Sequence, residues 1–164
     1  MPAMLKEKSQ NHLRNVGARL DSIDARILIA LDADARLSVS DLGRTVGMSA
    51  PSASERVRRL QAAGVIRAFT LDVDTRALGY QIRALVRIRP LPSKLHLVEK
   101  LIQNTPQFIE CDKITGDDPF LARLVVRSIE EMDGVLEALS EHAVTSTAVI
   151  KGSSVPRRLP PLPE

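Results

Sequence analysis

The chain has 164 residues, of which 44% are hydrophobic and 26% charged, and its formal net charge is +3. That apolar content is enough to bury a core and excludes a wholly disordered chain. A single cysteine, Cys111, excludes an internal disulfide, and no apolar run approaches the ~20 residues that cross a bilayer.

The first residues, "MPAMLKEKSQNHLRN", contain no apolar stretch of the kind a secretory signal needs. With the lone cysteine this predicts a cytoplasmic protein. The basic excess is uneven. Residues 1–80 hold 12 Lys and Arg against 9 Asp and Glu, whereas residues 81–164 hold 11 of each. Binding a polyanion depends on local charge, so the first half is where it is expected.

Residues 1–19 are polar and aperiodic and read as a flexible tail. In "LDSIDARILIALDAD", Leu20, Ile23, Ile27, Ala30 and Leu31 recur at helical spacing, with Asp21 as cap and Asp24 three residues on. Ser38 caps a second helix that Gly47 stops. Ser49 caps a third, with Pro51 tolerated in its first turn and Gly64 at its end. The next stretch, "VIRAFTLDVD", is rich in β-branched and aromatic residues and reads as a strand, the wing of the helical unit. "TRALGY" marks the boundary.

The period then changes. "QIRALVRIRP" puts Ile82, Ala84, Val86 and Ile88 on one strand face. "SKLHLVEKLIQN" is helical on Leu95, Val98, Leu101 and Ile102. "QFIECDKIT" and "FLARLVVRS" are strands joined through "GDDP". "IEEMDGVLEAL" is a helix on Met132, Val135, Leu136 and Leu139, and "VTSTAVIK" is a last strand. The order β-α-β-β-α-β is that of a ferredoxin-like domain. The prolines of the final "VPRRLPPLPE" predict an extended tail. The expected organisation is a tail over 1–19, a winged helix-turn-helix over 20–81 with its motif at about 39–58, a ferredoxin-like domain over 82–155 and a proline-rich tail over 156–164.

The third helix, "SAPSASERVRRLQAAG", carries the functional signal. With Val57, Leu60 and Ala53 on the buried seam, the opposite face shows Ser52, Glu55 and Arg59, flanked by Arg56 and Arg58. Guanidinium groups grip phosphate or read guanine in a major groove, and Ala50 and Ala53 can pack on a thymine methyl. Three arginines on a helix in isolation would read as a solvated face. The scarcity of acids, the short "GMS" turn from a capped partner helix and the following strand favour duplex DNA. Aromatics make up only 2% of the chain, which leaves little for RNA base stacking.

Enzyme motifs are missing: there is no GxGxxG, Walker loop, GxSxG, HExxH or CxxC pair. His12, His96 and His142 are scattered and read as surface or satisfied structural residues. Cys111 reads as a buried or half-buried strand residue. No cofactor and no metal are expected. Three classes are weighed: a ligand-sensing DNA-binding regulator, an enzyme on the same fold, and an architectural DNA protein without effector. The arginine helix favours the first.

"LDSIDARIL", "LSVSDLGRTVGMS" and "RVRRLQAAGVI", followed by "ALVRI", "ECDKITGDDPF" and "TSTAVI", closely resemble the Lrp/AsnC, or feast/famine, family of transcriptional regulators over residues 20–162. The resemblance implies a winged helix-turn-helix joined to a ferredoxin-like effector and oligomerisation domain. It also implies dimers, often built into tetramers or octamers, and effectors that are commonly amino acids. The family's enzyme-like relatives, haem-biosynthesis decarboxylases, supply the second of the three classes.

By position, the resemblance places groove and phosphate contacts on Ser49, Ser52, Arg56 and Arg59. With Ser38, Ala50 and Ala53, these are the candidate DNA-binding residues. The effector turn falls on Gly116, Asp117, Asp118 and Phe120. Here Asp118 stands where the family often has an aromatic residue, and Pro119 where it has a second acid. An ordinary hairpin turn is the alternative reading of Gly116–Asp118.

Overall fold

The computed structural model describes residues 20–163. Contacts divide the chain between Leu71 and Asp72, and the stretch from Arg157 onward groups with the first part. The tail read over 1–19 lies outside the described residues.

The first unit is trihelical: α1 (Ser22–Ala33), α2 (Val39–Val46) and α3 (Ala50–Ala62). Its boundaries follow from its caps. Asp21 and Asp24 form a reciprocal capping box at the start of α1. Ser38 and Ser49 each accept a backbone N–H at the starts of α2 and α3, and Gly47 closes α2 in the left-handed region. The core is built from Ile27, Ala30, Leu42, Val46, Ala53 and Leu60. Ile27 and Leu60 are at most 1% exposed, and each contributes about 1.5–3 kcal/mol by leaving water.

Gly43 sets the spacing of α2 and α3. A Cβ built there would meet the Met48 carbonyl oxygen at 2.8 Å, the Ala50 nitrogen at 3.2 Å and the Ser49 carbonyl carbon at 3.3 Å. All three atoms are backbone, so the turn is packed directly on the α-carbon of Gly43.

The strand read into "VIRAFTLDVD" is not formed. Residues 67–74 have no regular secondary structure. Phe69, Leu71 and Val73 alternate as a strand requires, yet they are 49%, 85% and 48% exposed. A strand exists only with a ladder partner, and this segment takes part in no ladder among the described residues.

The second unit comprises β1 (Ile82–Pro90), α4 (Leu95–Asn104), β2 (Phe108–Lys113), β3 (Phe120–Val126), α5 (Ile129–Ser140) and β4 (Ala143–Val149). The strands form one antiparallel sheet in the order β2-β3-β1-β4, the ferredoxin-like arrangement expected. Alternation divides its faces. Ala84, Val86 and Ile88 with Phe120, Ala122, Leu124 and Val126 pack on Val98, Ile102 and Leu139 of the helices. The other parity puts Arg83, Leu85, Arg87 and Arg89 on the opposite face of β1.

β2 is an edge strand, and Cys111 on it is exposed rather than buried or half-buried. His142 follows α5 as read, and its buried Nδ1 has no hydrogen-bond partner among the described residues.

Candidate nucleic-acid interface and effector turn

The N-terminal half of α3 is exposed at Pro51, Ser52 and Glu55. The Ser49 hydroxyl accepts the Ser52 amide at 3.3 Å and shares a 2.8 Å hydrogen bond with the Ser52 hydroxyl. Both serines therefore stand at the start of the helix, where backbone N–H groups favour an anion. Ser38 caps α2 and donates to Asp41 Oδ2 at 2.6 Å, so its hydroxyl is already engaged. Ala50 is half-buried. Ala53 does not fit the role given to it: its side chain is 0% exposed in the helical core and cannot reach a thymine methyl. It lies on the same seam as Leu60, and that seam is filled by α1 and α2.

The arginines do not form an unpaired basic face. Arg56 Nη1 donates to Asp21 at 2.6 and 2.8 Å and to Asp24 Oδ1 at 2.9 Å. Arg59 Nη2 donates to both Asp24 oxygens at 2.7 Å. Arg58 pairs with Glu55 at 2.8 Å. Asp24 is the one charged residue among the buried side chains described. Two carboxylates and two guanidiniums thus form a neutral quartet joining the start of α1 to the middle of α3.

Within that quartet the two arginines differ. The Arg56 side chain is 22% exposed and that of Arg59 is 55% exposed. Arg56 is mainly a strut between helices, and Arg59 stands at the rim. The hydrogen bond from Arg56 holds the Asp21 carboxyl below its ordinary value, with help from the Asp24 amide, and the hydrogen bonds to the Asp21 and Asp24 carboxylates raise Arg56. From the sequence, Asp21 and Asp24 read only as the cap and first turn of α1. Their acidity beside an arginine-rich helix was the available signal for the pairing.

In the second unit, Gly116 has φ +108 at the tip of the β2–β3 hairpin. The hairpin is closed by the Ile114 amide donating to the Pro119 carbonyl at 2.9 Å. Asp118 accepts from Arg89 Nε at 2.9 Å, and Asp117, 92% exposed, stands 4.0 Å from Arg89 Nη2. Arg89 was not identified from the sequence. Its position on β1, off the core parity, was the signal.

Phe120 does not join this group. It is 2% exposed and packs in the core between sheet and helices. Opposed residues of a ladder share a face, and Phe120 is opposite Ile88, so the ring lies with the core rather than as the wall of a surface site.

A trihelical unit whose capped second and third helices meet at a glycine-packed turn, followed by a ferredoxin-like unit, defines a helix-turn-helix DNA-binding protein with an appended sensory domain. Comparison with known proteins agrees for both parts. Residues 20–61 match the AsnC-type helix-turn-helix domain, and residues 83–157 match the Lrp/AsnC ligand binding domain. The transcriptional regulator LrpC of Bacillus subtilis is 33% identical over 132 residues, which is 80% of this chain and 92% of LrpC. The regulator AldR of Mycolicibacterium smegmatis is 35% identical over 145 residues, covering 84% of this chain and 85% of AldR. The solved structure of B. subtilis LrpC superposes with a TM-score of 0.81 at 31% identity, over 85% of this chain and 100% of that one. A Neisseria meningitidis regulator solved as an L-methionine complex shares the fold, with a TM-score of 0.79 at 19% identity over 86% of this chain and 96% of its own.

The chain belongs to the Lrp/AsnC family of transcriptional regulators. It is a DNA-binding regulator with a ligand-binding domain, and the enzyme reading is not favoured. Among the described residues no helix is long and apolar enough to cross a membrane.

Proposed function

We propose that this regulator reads duplex DNA through the exposed start of α3, with Ser49, Ser52 and Arg59 as the direct contacts, and that it acts in the cytoplasm. The observation that carries this is the half-exposed Arg59 on the same helix as the exposed Ser52. Arg56 supports the helix from behind. A duplex selected by the wild-type protein from a random-sequence pool provides the probe. Arg59→Ala is expected to cost about 1–3 kcal/mol of affinity if the arginine reads a base. If it contacts phosphate, the salt slope is expected to fall by roughly one. Gel-shift titration over a salt series separates these. Unchanged affinity and slope would remove α3 from the interface.

The protein works as a homodimer at least, with two α3 helices placed on half-sites about one helical turn, ~34–36 Å, or a multiple of it apart. Support comes from the face of the sheet opposite the helices, where Leu85, Leu121 and Val144 alternate with Arg87, Arg123 and Glu110. Such a mixed apolar and charged face suits a second copy of itself. Light scattering at micromolar protein without DNA is expected to give a dimer mass or a multiple, and a clean monomer mass contradicts it.

The effector is a small zwitterion held near the β2–β3 hairpin. Arg89 beside Asp117 and Asp118 sets a cation next to two carboxylates, complementary to a carboxylate and an ammonium on one small molecule. Calorimetry with an amino-acid panel is expected to show binding that Arg89→Ala or Asp118→Ala abolishes. Binding that survives both places the effector elsewhere, and binding by no panel member favours the effector-independent, architectural role.

A further inference from the structure

We infer that Asp24 is a positioning residue for DNA recognition, acting through Arg59. The inference rests on the reading of α3 as the DNA-facing helix. Asp24 lies in α1, and its carboxylate is 1% exposed, so it cannot touch DNA itself. It takes both 2.7 Å bonds from one nitrogen of Arg59, Nη2. Among the hydrogen bonds of the described residues, Arg59 Nη1 and Nε are unused. The guanidinium is therefore anchored at one corner on a buried acid while its remaining N–H groups stand at the rim of α3.

An arginine side chain has several rotatable bonds, and an exposed one loses much of their freedom when it docks. Here the loss is taken on folding rather than on binding. A planar guanidinium can bridge a carboxylate and a phosphate at once in a fixed fork, whereas an ammonium is a compact point charge whose donors have no fixed plane. Asp24 does not depend on Arg59 for its only neutralisation, because Arg56 Nη1 also binds it at 2.9 Å. Arg59 can thus adjust to DNA without stranding a buried charge. The opposite effect of Asp24 is to reduce the net charge that Arg59 offers to phosphate. Solvent at a half-exposed site screens that loss, so orientation dominates.

The test is a double-mutant cycle on DNA affinity, using the selected duplex described above, with folding of each variant verified by circular dichroism. Asp24→Asn is expected to weaken binding about three- to tenfold in the wild-type background, and less than about twofold in the Arg59→Ala background, where nothing is left to position. Equal losses in the two backgrounds mean a merely structural role and overturn the inference. Tighter binding by Asp24→Asn means that Asp24 acts as a counter-charge on Arg59, and also overturns it. If Asp24→Asn does not fold, Arg59→Lys decides, because Arg56 still holds Asp24. Lysine is expected to bind DNA as weakly as alanine at that position, and wild-type affinity overturns the inference. If Arg59→Ala itself leaves affinity unchanged, it is the reading of α3 that fails, which separates the two outcomes.

Discussion

Gly43→Val is expected to unfold the helical unit at ordinary temperature, and Gly43→Ala to lower its stability by about 1–3 kcal/mol. The first atoms a new Cβ meets are the Met48 carbonyl at 2.8 Å and the backbone of Ser49 and Ala50. None of these can swing aside as a side-chain tip would. The Met48 amide also bonds back to the Gly43 carbonyl at 2.8 Å, so displacing the turn breaks the bond that closes it. Relief would require α3 to move away from α2 and open the core at Leu42, Val46 and Ala53. Valine adds two methyl groups at the same point. The control is Gly134→Ala in the middle of α5, where a Cβ meets nothing within 4 Å. There the gain in helix propensity is expected to stabilise the sensory unit by about 0.5–1 kcal/mol. Thermal melts of the three variants, followed by circular dichroism, check all of this. A Gly43→Ala protein as stable as wild type would show that the turn yields.

The sequence resolved some of this and not the rest, for physical reasons that particular residues show. Caps are local: Asp21, Ser38 and Ser49 bond to amides three residues away, so chain order alone exposes them. Strand alternation is local too, and the parity of Ala84, Val86 and Ile88 gave the core face of the sheet. The Phe69–Val73 segment shows the limit of the same rule. Its pattern fits a strand, but pairing is a long-range property that no window of sequence contains. A helical wheel likewise ranks faces without saying what covers them. It set Arg56 and Arg59 away from Val57 and Leu60 and could not show that the N-terminus of α1 brings two acids to them across more than thirty positions of chain. Gly43 left no trace either, since a glycine inside a helix reads only as a weak position until the neighbouring backbone is located.

Arg56→Ala is expected to act first on stability, with loss of DNA binding as the consequence, and this separates it from Arg59→Ala. Removing Arg56 leaves Asp21 without its strongest partner and leaves the buried Asp24 with Arg59 alone. Breaking a fully buried pair costs about 3–5 kcal/mol. Asp24 keeps one partner, and Arg59 is half-exposed and screened, so about 2 kcal/mol is the expected loss. Arg59→Ala leaves Asp24 bound to the better-buried arginine and is expected to cost less than about 1 kcal/mol of stability. The pH dependence identifies the same contact. Asp21 is held below its ordinary 3.8, chiefly by the hydrogen bond from Arg56. A carboxyl lowered on folding stabilises the native state above its unfolded value, and that contribution disappears as pH falls through the folded one. The stability difference between wild type and Arg56→Ala is therefore expected to be constant from neutral pH down to about pH 4 and to shrink below it. Urea unfolding across that range reads the difference directly. A difference that stays level through the acid limb would mean that the bond from Arg56 to Asp21 is not what stabilises the unit.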